Sequence, residues 1–132
     1  MRKYLLLTLI SLAATFSLRA QSNQLTPAID TSTNAQTRYI VTGVQNGQYQ
    51  TFSIQFVKDS VSGTVAGYAL IQASIDNSHW KDVNTDTFTF TNTGSQNYLW
   101  DLTKNKYLYY RIKVVTTGTQ VSTNKGYLWR KE

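Results

Sequence analysis

Ser74, Asp76 and His79 bring a hydroxyl, a carboxylate and the only histidine of the chain into the stretch SIDNSHW, and no other segment offers a comparable set of reactive side chains. A hydrolytic triad needs the histidine within about 3.2 Å of the hydroxyl and an acid behind the histidine to orient it. Such triads usually draw on residues far apart in sequence, and no Gly-x-Ser-x-Gly elbow frames Ser74 or Ser78. A turn accounts for the same residues. Asp76 and Asn77 accept local backbone hydrogen bonds and tolerate unusual backbone angles, Ser78 extends the turn, and Trp80 folds back to bury its ring against a sheet. Ser74, Asp76 and Trp80 are therefore read as a structural corner, and no catalytic residue is assigned.

Two further groups invite chemistry. Tyr107, Tyr109, Tyr127 and Trp129, with Arg111 and Lys113 nearby in sequence, could form an aromatic and basic face on which sugars or bases stack. Cross-strand pairing on a half-covered sheet face explains them too. Tyr109, Arg111, Tyr127 and Trp129 are retained as the candidate binding residues. Asp82 and Asp86 could offer oxygen ligands to calcium but lack a dense carboxylate repeat, so a solvated loop is preferred. No metal and no cofactor is assigned. The absence of cysteine excludes thiolate chemistry and thiolate metal sites, and a single histidine excludes a histidine-rich zinc site.

The elements that must carry these residues are strands. In YQTFSIQFVKD, Phe52, Ile54 and Phe56 fall on one side and Thr51, Ser53 and Gln55 on the other, the period of a half-buried strand. DTFTFTN alternates Phe88 and Phe90 with threonines. YLYYRIKVV places Leu108, Tyr110, Ile112 and Val114 opposite Tyr107, Tyr109, Arg111 and Lys113. Weaker strands are TRYIVTGV, TVAGYALIQASI, QNYLWDL and VSTNKGYLWRK, separated by turn-forming stretches such as QNGQ, DNSH and TTGT. No segment after the first twenty residues shows helical apolar spacing, and the only glutamate is Glu132. The expectation is an all-β fold, an antiparallel Ig-like or jelly-roll-like β-sandwich of about seven to eight strands.

The chain begins with a basic tip, Arg2 and Lys3, followed by an apolar run from Tyr4 to Leu18 diluted by hydroxyls and a small residue at Ala20. Residues 1–20 read as a secretory signal cleaved before Gln21, since the run falls short of the roughly 20 apolar residues that span a bilayer. Residues 21–37 are polar and read as a flexible arm, and residues 38–132 as the sandwich domain. Loss of Arg2, Lys3 and Arg19 leaves ten lysines and arginines against seven acids, a net charge of +3 in place of +6. The remaining cations form no stripe along a phosphate backbone, so nucleic acid is not expected as a partner, nor is a membrane after cleavage. The product is expected outside the cytoplasm: secreted, periplasmic or on a virion surface.

Ser74, Asp76 and Trp80, then Tyr-Tyr-Arg-Ile at Tyr109 to Ile112, then TGTQVSTNKGYL, resemble small β-sandwich proteins encoded by tailed phages of Bacteroidota and by relatives in their hosts. The likeness runs from Gly63 to Trp129, about half the chain. The chain departs from that pattern with Asn77 where a glycine is common, and with its export signal. The resemblance implies a virion-surface or secreted accessory role without catalysis and transfers no active site. Its partner would be a protein, a viral particle or further copies of the chain. The alternative reading is a carbohydrate-binding or adhesion module using exposed aromatics.

Overall fold

A computed structural model describes residues 28–44, 51–83, 86–103 and 106–131. Residues 1–20, read from sequence as a secretory signal, and residues 21–27 of the expected arm lie outside the described residues. Among the described residues nine strands follow in chain order: β1 (Ala28–Thr33), β2 (Gln36–Val44), β3 (Thr51–Ser62), β4 (Gly67–Ser74), β5 (Lys81–Asp82), β6 (Phe88–Thr89), β7 (Ser95–Thr103), β8 (Tyr109–Thr116) and β9 (Val121–Lys131). They form an antiparallel β-sandwich. One sheet has the order β1-β9-β3-β7; the other runs β2-β8-β4-β5, with β6 also paired to β4.

The alternating positions of β3 supply the centre of the core. Phe52, Ile54 and Phe56 are buried without measurable exposure, and Trp100 of β7 and Leu128 of β9 join them. The facing sheet contributes Ile40, Ala69, Ile71, Ala73, Tyr110, Ile112 and Val114. Each large apolar side chain moved out of water here contributes about 1.5–3 kcal/mol, which lets a cysteine-free sandwich hold together by burial. The alternation in YLYYRIKVV is realised at Tyr110, Ile112 and Val114, but Leu108 precedes β8 and is 42% exposed. The DTFTFTN strand shortens to two residues, and its phenylalanines act by packing: Phe90 stacks on Phe56, and Phe88 on Tyr98.

Residues 28–33 and 36–37 are strand, joined by a bend at 34–35, and not flexible arm. All six residues of β1 pair with β9, from Ala28 opposite Gly126 to Thr33 opposite Val121, and β2 begins at Gln36. No apolar alternation marks β1 because its fully buried residue is Ser32. That hydroxyl accepts the Asn124 side-chain amide at 2.9 Å inside a polar end of the core shared with Lys58, Gln120 and Ser122. The Lys58 ammonium donates to the carbonyls of Thr93 and Thr91 at 2.9 and 3.3 Å, closing the loop before β7 over that end. The strand count rises to nine through β1 and the short β5.

Gly67 opens β4 with φ +135°, and a Cβ there would overlap the Val115 carbonyl oxygen of the adjacent β8. Only glycine admits this approach of two backbones.

Candidate functional site

Three surfaces carry the residues singled out by sequence. The first is the corner after β4. Asp76 Oδ1 accepts hydrogen bonds from the backbone N–H groups of Ser78 and His79 at 2.9 and 2.8 Å, and from the Ser74 hydroxyl at 2.9 Å. Its Oδ2 lies 2.6 Å from His79 Nδ1. These donors hold the Asp76 carboxyl far below the usual carboxylate range, the His79 N–H groups foremost, and the same carboxylate raises the His79 pKa. Asn77 takes φ +61°, the left-handed conformation that a glycine would otherwise supply. The order of contacts is serine to aspartate to histidine, so the carboxylate and not the imidazole accepts the hydrogen bond of the hydroxyl. The His79 side chain is 92% exposed. A depression of about 370 Å³ beside the corner is lined by Ile75, His79, Lys81 and Tyr107 among others.

Trp80 does not bury its ring in the core. It is half-buried on the outer face of the second sheet, where the Arg111 guanidinium stacks between it and Tyr39. Arg111 Nε donates to the Gln72 side-chain carbonyl at 2.9 Å, and the Gln72 amide donates to Asp82 at 2.7 Å. Partial burial pulls the Arg111 pKa down, and Tyr39 opposes that shift. Tyr109, two residues earlier on β8, points to this same outer face. Here the arginine's planar cation is satisfied by rings on both sides and by an amide.

The third surface is the outer face of the first sheet. Tyr127 and Trp129 project from β9, opposite Gln55 and Ser53 of β3, which in turn face Leu99 and Asp101 of β7. Ser53, Gln55, Leu99, Tyr127, Leu128 and Trp129 line an open trough of about 320 Å³. Trp129 is 43% exposed and Leu99 54%. The Ser53 hydroxyl donates to Asp101, so the trough combines ring faces and an aliphatic side chain with an amide, a hydroxyl and a carboxylate at its margin.

The four candidate binding residues therefore do not share a face. Tyr109 and Arg111 lie on the outer side of one sheet, Tyr127 and Trp129 on the outer side of the other, with the core between. The turn at residues 117–120 carries the chain from one sheet to the other, so neighbours in sequence part company. Leu99, Gln55 and Ser53 complete the trough and carry no motif. The one signal for Leu99 is that Tyr98, Trp100 and Leu102 point inward, leaving it as a large apolar residue on the outward phase of QNYLWDL. Asp82 is engaged by Gln72, and Asp86 accepts the Tyr98 hydroxyl at 2.6 Å. Among the described residues no group of three His, Cys, Asp or Glu side chains is placed to hold a metal ion.

No family model matches the chain, and no curated protein matches it in sequence. Among solved structures it is similar to the Yersinia pseudotuberculosis-derived mitogen, with a TM-score of 0.55 at 9% identity over 85% of this chain and 89% of that one. A CBM4 structure aligns with a TM-score of 0.49 at 8% identity, over 78% and 82% of the two chains. The tobacco streak virus coat protein aligns with a TM-score of 0.44 at 12% identity, over 87% and 91%. The first likeness shows a shared β-sandwich fold and nothing about what this chain binds.

Proposed function

We propose that this chain is a non-catalytic, exported β-sandwich module that works by docking, and that its docking surface is the outer face of the sheet β1-β9-β3-β7. The observation that carries the reading is the trough in which Trp129 stands exposed, with Tyr127 half-buried, beside the exposed Leu99. Exposed aromatics in a shallow depression are the kind of anchors that dominate protein interfaces. Against catalysis stands the Ser74–Asp76–His79 contact order, which sets the hydroxyl on a carboxylate held far below its usual range, a weak base, and away from the imidazole. The resemblance of the Ser74–Trp80 corner and of Tyr109–Ile112 to accessory sandwich proteins of phages supports a protein or particle as partner, and the amino-terminal signal supports export.

A glycan is the second reading. It is favoured by Gln55 and Ser53 bordering the rings, since amides and hydroxyls reach sugar hydroxyls while aromatic faces cover sugar C–H groups. One experiment separates the two. Wild type and Trp129→Ala are compared for co-sedimentation with particles released by the producing cells and for binding to a glycan array. Co-sedimentation lost in Trp129→Ala with a silent array supports the particle partner. Selective glycan binding lost in the same variant makes this a sugar-binding module. Hydrolytic activity abolished by His79→Ala overturns the non-catalytic reading.

A further inference from the structure

The lateral edges of the two sheets are unequally protected. A strand edge exposes unpaired backbone groups, and proteins blunt such edges with short strands, charges, bulges or prolines. Strand β1 is short and carries Asp30, 3.8 Å from Arg38. Strand β2 carries Arg38 and a bulge between Val41 and Gly43. Strands β5 and β6 have two residues each. Strand β7 has only one of these devices, a lone acidic residue. It runs nine residues, SQNYLWDLT, pairs with β3 in unbroken register from Ser95 to Thr103, and contains no proline and no cation. Its single charge, Asp101, is occupied by the Ser53 hydroxyl. Among the described residues no other strand pairs with it.

We infer that β7 is a homotypic interface: it pairs antiparallel with β7 of a second copy about a two-fold axis through Leu99. Leu99 is the midpoint of Ser95–Thr103, so only this register pairs all nine residues. It sets Leu99, 54% exposed, against its own copy, Asn97 against Asp101 and Ser95 against Thr103. The side-chain amide of Asn97 then meets a carboxylate twice. Moving the axis to Asp101 would oppose two carboxylates, and moving it to Asn97 would leave Asp101 and Thr103 without strand partners. A two-fold pairing is self-complementary and closes, so it ends in a dimer and not a filament. The product is one continuous sheet across both copies. Leu99 also lines the trough, so the two troughs come side by side. That last consequence rests on the docking reading above; the pairing itself rests on the β7 edge alone.

The test exploits the cysteine-free chain. Purified Leu99→Cys and Ile29→Cys, the latter on the opposite edge, are oxidised mildly, and Asn97→Lys and Asn97→Asp are weighed by sedimentation equilibrium with circular dichroism as a check on folding. Opposed residues in an antiparallel pair have Cβ atoms about 4.5–5.5 Å apart, near disulfide range. Leu99→Cys should form a covalent dimer faster than Ile29→Cys. Asn97→Lys, placed against Asp101 of the second copy, should tighten the dimer, and Asn97→Asp should weaken it, each by about two- to tenfold. Equal crosslinking at both edges, or Asn97 variants shifting association in the same direction, overturns the inference. Neither Asn97 variant alters the trough lining, so a dimer that forms while co-sedimentation and the glycan array both stay silent would sink the docking reading and leave this one standing.

Discussion

The guanidinium carbon of Arg111 lies 4.0 Å from the centre of the Trp80 ring, with the Tyr39 ring at 3.8 Å on its other side. Trp80 is thus a surface clamp on a half-buried cation and no part of the core. Trp80→Ala should cost about 1 kcal/mol, the scale of a partly exposed cation–π contact. Trp100, 1% exposed and packed against Phe56 and Tyr98, should cost about 3–5 kcal/mol on the same change. Urea unfolding of both variants checks this; equal losses would mean the corner is built otherwise.

Asn77 holds φ +61° on the exposed turn. Glycine adopts that conformation freely, and asparagine does so better than most residues. Asn77→Gly should leave stability within about 0.5 kcal/mol of wild type, whereas Asn77→Val should lose roughly 1–2 kcal/mol, because a β-branched side chain collides with its own backbone there. Thermal melts of the pair decide it.

Asp76 and His79 should titrate as partners. The His79 pKa stands above its ordinary 6.5, so the stabilisation it draws from Asp76 is complete below that value and fades as pH rises through the folded one. The Asp76 pKa stands below its ordinary 3.8, so its contribution is present above that value and fades as pH falls through the folded one. Both groups are exposed, and salt should weaken the coupling. Proton NMR of the His79 ring should show the raised midpoint, and Asp76→Asn should return it toward 6.5. An unmoved midpoint would place the imidazole elsewhere.

Lys58 titrates in the opposite sense from a surface lysine. Burial pushes its pKa below the ordinary 10.5, with Asp59 opposing in part. The folded protein therefore releases this proton at lower pH than the unfolded chain. Wild type should gain stability relative to Lys58→Met as pH climbs from the folded value toward about 10.5. Denaturation at a series of alkaline pH values measures the difference; a gap that stays constant or shrinks would show an ammonium that is not desolvated.

Alternation within one strand is local physics, and it was readable. Phe52, Ile54 and Phe56, and again Tyr110, Ile112 and Val114, had to face one way once they lay on a strand, and the turn residues between runs made the connections short. That much implied an all-β sandwich. Strand β1 was not readable, because burial of its Ser32 makes sense only beside Asn124, ninety-two residues away. Nor was the fate of Trp80 readable, since a tryptophan after a turn can enter a core or cover an arginine, and Arg111 reaches it only through the pairing of β8 with β4.

Which residues of each strand point inward is a local matter, because the two-residue period of an extended chain is set within the strand. Which outward residues share a face is not local: it depends on how the strands are assembled into sheets. The turn at residues 117–120 can close a hairpin within one sheet or cross to the other, and nothing local distinguishes the two. Here it crosses, so Tyr109 and Arg111 end on one side of the molecule, while Tyr127 and Trp129 meet Leu99 on the other. Sheet order places β7 at the margin for the same reason: whether a strand is flanked on both sides depends on partners chosen across the whole chain.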